Sequence, residues 1–185
     1  MFYFEVKMKF LIVYGTTEGQ TRKIAYYMAK VLQNSGHNVL VAEAIEEPPS
    51  PIEFDAVLIG ASIHIGAYQS AVTHYIKNYL NILNTTPGAF FSVCLAIASD
   101  IEDEHQEVAR ITKTYLDKVG WRPNSVIQIA GALKYTQYNF FKRLLMKMIA
   151  KKEGRTTDTA QDYEYTDWEA VKTFVLEFEK EVSNA

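Results

Sequence analysis

Four runs of strand length are almost unbroken in their apolar character: KFLIVY at 9–14, AVLIG at 56–60, AFFSVCL at 89–95 and SVIQIAGA at 125–132. Strands that lack apolar–polar alternation have water on neither face. The segments between them have helical periodicity. Gln20 to Ser35 puts Ile24, Met28, Val31 and Leu32 on one side and stops at Gly36, while Ser70 to Leu83 turns Val72, Tyr75, Ile76 and Leu80 inward. Glu104 to Val119 is a third helix, and Asn38 to Ala42 is a further short strand before the connection marked by Pro48, Pro49 and Pro51. Thr166-Asp167-Trp168-Glu169 has capping-box spacing and opens a last helix to about Val182. Such alternation predicts an α/β doubly wound domain with a parallel five-stranded sheet covered on both sides. A barrel of this type needs about eight strand–helix units, more than the chain contains.

Length and charge narrow the reading. At 185 residues the chain is read as one domain, spanning 8–185, with 1–7 as an N-terminal extension and Met8 as an alternative start. A single cysteine, Cys94, leaves no internal disulfide, and within its apolar strand it is expected to be a core thiol. His37, His64, His74 and His105 show no metal-ligand spacing, so no metal is expected. The formal charge of −3 conceals an uneven distribution. Between Lys134 and Arg155 seven basic residues face one acid, a local +6 that leaves −9 for the remainder. An acidic body of this kind does not suit a nucleic-acid binder. No apolar run approaches the roughly 18 residues of a membrane span, so a cytoplasmic location is expected.

In open parallel sheets the ligand sits beyond the carboxyl ends of the strands, at the switch in strand order. The loop after the first strand, Gly15 to Thr21, is small and hydroxylated and leads straight into a helix, a setting in which backbone N–H groups and the helix dipole attract an anion. The chain has neither the Gly-Lys-Ser/Thr of a P-loop nor a G-x-G-x-x-G. The first and third strands also end without the carboxylates that a phosphoryl-accepting regulator needs.

Thr16-Thr17-Glu18-Gly19-Gln20-Thr21 resembles the phosphate loop of flavodoxins, departing at Glu18, where that family usually carries a hydroxyl. Ile59-Gly60-Ala61-Ser62-Ile63-His64-Ile65-Gly66 resembles the segment that wraps the flavin ring. The resemblance implies sheet order 2-1-3-4-5 and bound FMN. Its phosphate would lie on Thr16, Thr17, Glu18, Gly19, Gln20 and Thr21. Ala61, Ser62, Ile63, His64 and Gly66 would line one side of the ring, and Leu95, Ala96 and Ile97 the other.

The later half is similar to one branch of that family, the menaquinone-dependent protoporphyrinogen dehydrogenases. Gly131-Ala132-Leu133-Lys134-Tyr135, Tyr138 to Arg143, Lys147-Met148, Thr157-Asp158-Thr159 and Tyr165 to Trp168 carry the likeness. The chain departs from the branch at His64, where arginine is usual, and in the acidic run Ser99 to Glu104. The resemblance implies oxidation of a porphyrinogen, with a quinone as acceptor, in haem synthesis. The other readings are a flavodoxin carrier, or an NAD(P)H-dependent quinone or FMN reductase.

The inserted basic segment, 134–165, includes an expected amphipathic helix over 138–152. Phe141, Leu144, Leu145, Met148 and Ile149 share one face, and Arg143, Lys147 and Lys151 recur every four residues on another. About 15 residues at ~1.5 Å each reach only ~22 Å. A helix of that length suits either a peripheral contact with an anionic membrane surface or packing on its own domain with a solvated basic face, and it cannot span the membrane.

Overall fold

β1 (Lys9–Gly15), β2 (Asn38–Glu43), β3 (Ala56–Ser62), β4 (Gly88–Cys94) and β5 (Ser125–Ala130) form one sheet in the order β2-β1-β3-β4-β5. Every neighbouring pair is parallel. The structure is a computed structural model that describes residues 7–64, 66–133 and 163–184. The inserted helix expected over 138–152 lies outside the described residues.

The unbroken apolar runs are explained by the two faces of this sheet. Along β1, Phe10, Ile12 and Tyr14 face one core with Ile24, Met28 and Leu32 of α1 (Gln20–Asn34) and Val171, Val175 and Phe178 of α5 (Trp168–Ser183). The intervening Leu11 and Val13 face a second core. Its other members include Val72, Tyr75 and Ile76 of α2 (Ser70–Asn78), Leu83 of α3 (Leu80–Leu83), Leu116 and Val119 of α4 (Glu102–Val119), and Trp121. Each fully buried Leu, Ile or Phe contributes about 1.5–3 kcal/mol. Most of the strand residues count toward one core or the other, so the sheet centre holds the fold together. Gly60 of β3 is required by this packing: a Cβ there would lie 1.9 Å from the buried Phe91 ring.

Several boundaries differ from the sequence reading. The helix expected over 70–83 bends at Tyr79 (φ −113°, ψ 18°), and the bend lets Leu83 enter the core and present its carbonyl to Trp121 Nε1–H at 3.3 Å. α4 starts two residues early, at Glu102. The acidic run thus supplies Glu102, Asp103 and Glu104 to the first helical turn, where the helix dipole favours negative charge.

The strand expected to reach Ala132 stops at Ala130. Gly131 then turns the chain into β6 (Ala132–Leu133), which pairs antiparallel with β7 (Tyr163–Glu164). The last helix is capped by Asp167, whose carboxylate accepts from Glu169 N–H and Ala170 N–H. Thr166, the residue expected to cap it, instead donates to Ala130 O and accepts from Gln20 Nε2–H, both at 2.8 Å.

Candidate functional site

The strand order reverses between β1 and β3, so a crevice opens beyond their carboxyl ends. On the β1 side the chain turns at Gly19, in the left-handed region at φ 88°, and Gly19 N–H donates to Thr16 Oγ1 at 2.9 Å. A glycine tolerates this φ without the strain that a Cβ brings. α1 begins at once, with no side-chain cap and no acid in its first turn. The N–H groups of an uncapped first turn are donors for an anion.

Thr21 in that turn is fully buried, and its Oγ1 has no hydrogen-bond partner among the described residues. A buried hydroxyl left unmade costs on the order of 1–3 kcal/mol. A ligand oxygen in the cleft would remove that cost, and the phosphate end of a flavin nucleotide fits this donor set.

The second wall comes from β3 and the turn that follows. Ile63 N–H donates to Val93 O at 2.9 Å, prolonging the ladder past the strand, and His64 pairs with Ala67 through both backbone bonds, at 2.9 and 3.1 Å. Gln69 joins the two loops: its Nε2 donates to Ser62 Oγ at 2.6 Å and to Thr17 Oγ1 at 3.1 Å. The third wall is the end of β4 and the turn after β5, with Val93, Cys94, Leu95, Gly131 and Ala132. The cleft measures about 820 Å³, counting its solvent-facing mouth.

Of the residues expected to hold a cofactor, Thr16, Thr17, Glu18, Gln20, Thr21, Ser62, Ile63, His64, Gly66 and Leu95 line this cleft. Gly19 shapes the loop. Ala61 sits fully buried in the second core, one residue inside the strand. Ala96 and Ile97 fall in the turn Leu95–Ala98, and Ile97 lines a separate cleft with Ile127 and Tyr165.

Cys94 corrects the expectation of a core thiol. It is only half-buried and faces the cleft, and burial, outweighing a backbone hydrogen bond at Ala96, pushes its thiol up. Val93, Cys94, Gly131, Ala132 and Gln69 line or bridge the cleft but were not among the residues expected to hold the cofactor. Gly131 and Ala132 sit at a strand break that the apolar pattern ran through. Gln69 lies immediately before a helix that otherwise reads as core.

The far side of the site is tied to the returning chain. Lys23 of α1 pairs with Glu164 of β7, and Trp168 Nε1–H donates to Glu164 Oε1 at 2.8 Å. Lys23 Nζ also lies 5.2 Å from the Trp168 ring centroid. Partial burial works against the Glu164 charge, yet the bonds from Lys23 and Trp168 prevail and hold its carboxyl below the usual range. Among the described residues no group of His, Cys, Asp and Glu is arranged to hold a metal, and no helix is long and apolar enough to cross a membrane.

Residues 11–160 match the family model described as a flavodoxin domain, and the chain belongs to that family. The fold agrees. Oxidised flavodoxin 1 of Bacillus cereus superposes with a TM-score of 0.54 at 16% identity, covering 93% of this chain and 97% of its own. An archaeal flavodoxin gives 0.55 at 15% identity, covering 95% and 99%.

Within the family, the chain is 41% identical over 172 residues to the protoporphyrinogen IX dehydrogenase [quinone] of Escherichia coli strain K12, covering 92% of this chain and 94% of that one. The protein of that name from Leishmania major is 35% identical, covering 92% and 74%. A flavodoxin domain implies a bound flavin, and the crevice at the strand switch is the position a doubly wound sheet offers a ligand.

Proposed function

We propose that this chain is an FMN-dependent dehydrogenase that oxidises protoporphyrinogen IX and passes the electrons to a quinone. The cleft is the observation that carries the reading. It combines an uncapped helix start and the unpartnered Thr21 hydroxyl with a wall of Val93, Leu95 and Ala132. The relatives named for this reaction align over nearly the whole chain.

Thr16, Thr17, Gln20 and Thr21 would hold the single phosphate, and a chain with one phosphate loop suits a mononucleotide. Ser62, Ile63, His64 and Gly66 would flank the ring from one side, with Leu95 and Cys94 on the other. Gln69 fixes the separation of the first two loops. The bound flavin supplies two-electron redox chemistry, so one porphyrin takes three turnovers. The protein's part is to bind, orient and exclude water.

The basic segment 138–152 would place the chain against an anionic membrane surface, where a quinone is available. Charge reversal of Lys142, Arg143 and Lys147 should abolish salt-sensitive liposome co-sedimentation; equal, salt-insensitive binding of both forms would remove the membrane contact. The reaction is tested by anaerobic turnover of protoporphyrinogen IX with a menaquinone analogue, followed by porphyrin fluorescence. Porphyrin should form only when protein, FMN and quinone are all present. A rate equal to that of the protein-free mixture would overturn the assignment.

A further inference from the structure

Beside the cleft, a second groove of about 910 Å³ runs between α2 and α4. It carries a concentration of positive charge in an otherwise acidic body. Arg110, Thr114 and Lys118 recur every four residues on α4 and so share one helix face, while Lys77 lines the groove from α2. At ~1.5 Å per residue, Arg110 and Lys118 stand about 12 Å apart along the helix.

Among the described residues no carboxylate lines the groove, and neither Lys77 nor Lys118 makes an ion pair. Arg110 lies at the rim, held by Glu107 through bonds of 2.7 and 2.6 Å. The floor is amphipathic: the Tyr115 ring is partly buried, and its hydroxyl lies 3.2 Å from Thr73 Oγ1. Gly66 lines both this groove and the candidate flavin cleft, so the two are neighbours at the turn between β3 and α2.

We infer that this groove is the carboxylate-docking subsite for the substrate, with Lys77 and Lys118 receiving the propionates of a dianionic tetrapyrrole whose ring reaches the flavin cleft across Gly66. The inference rests on the function proposed above and specifies how the substrate is oriented. The unpaired lysines explain why an acidic protein can attract an acidic substrate, since local potential steers a ligand more than net charge does. The two lysines are exposed, so replacing them leaves both cores untouched.

The test uses the FMN-loaded full chain in three forms: wild type, Lys77→Glu/Lys118→Glu, and a control of equal net charge, Lys30→Glu/Lys180→Glu, on α1 and α5. Binding of protoporphyrin IX and of its neutral dimethyl ester is read by fluorescence titration, alongside KM and kcat for protoporphyrinogen and the affinity for FMN. Reversal in the groove should weaken diacid binding and raise KM by roughly tenfold, with ester binding, kcat and FMN affinity unchanged and the control matching wild type.

Equal diacid binding by wild type and groove variant, or an equal loss in the control, would overturn the inference. Porphyrinogen oxidation that ignores groove charge would overturn this subsite and leave the proposed function standing. Diacid binding that follows groove charge, with no porphyrinogen oxidation, would overturn the function and leave the subsite.

Discussion

Gln69→Met tests the architecture of the cleft with little cost elsewhere. The substitution preserves side-chain length and removes the amide that spans Ser62 and Thr17. The bond to Ser62 Oγ, at 2.6 Å and partly buried, is assigned about 1 kcal/mol, and the longer, exposed bond to Thr17 about 0.5 kcal/mol. The amide oxygen, Oε1, is buried with no partner among the described residues, so its removal returns on the order of 1 kcal/mol to the fold.

Global stability should therefore change by less than about 1 kcal/mol. The two loops, however, lose the link that sets their spacing before the ligand arrives. If that lost preorganisation falls wholly on binding, about 1.5 kcal/mol corresponds to an FMN dissociation constant roughly tenfold weaker. Flavin fluorescence quenching gives the affinity, and urea unfolding gives the stability. An affinity within twofold of wild type, with stability preserved, would refute the claim that Gln69 spaces the two loops for the ligand.

Three further outcomes are expected. Gly60→Ala should lower unfolding stability by about 1–3 kcal/mol through overpacking against Phe91, seen as a lower urea midpoint, and Gly60→Ala/Phe91→Leu should recover part of the loss. The Cys94 thiol, pushed up chiefly by burial, stays protonated at neutral pH; alkylation by iodoacetamide should be slow there, accelerate as pH rises, and be blocked by FMN because Cys94 lines the cleft. Glu164, held below the usual carboxylate range in the folded chain, stabilises the fold above its unfolded pKa, and that contribution fades as pH falls through the folded value. The stability gap between wild type and Glu164→Gln should accordingly be open at neutral pH and close in acid.

The sheet could be read from the sequence because burial on both faces leaves a pattern that few other structures share. β1, β3 and β4 have almost no exposed residue between them, and the apolar runs marked them within one or two positions. The turn from β1 into α1 was equally legible, since Gly19 and Thr16 are required locally by the turn and the helix start.

What escaped depends on contacts between distant segments. Gln69 joins the two loops only because folding brings Thr17 and Ser62 within its reach. Thr166 is drawn from its expected capping role by Gln20, 146 positions away in sequence, and Asp167 takes the cap. Ala96 and Ile97 missed the cleft because a tight turn begins at Leu95 and redirects the chain. The cationic face of α4 has helical spacing in the sequence, but its meaning comes from Lys77 opposite and Gly66 beside it.

A flavin bound at the β1–β3 switch should exchange electrons with a porphyrinogen. The most direct measurement is an anaerobic half-reaction, in which FMN-loaded protein is mixed with protoporphyrinogen IX in one experiment and with NADPH in another while the flavin absorbance is followed. Protoporphyrinogen should bleach the flavin, NADPH should leave it oxidised, and a quinone added afterwards should restore the absorbance. A flavin bleached by NADPH and indifferent to protoporphyrinogen would contradict the proposed function.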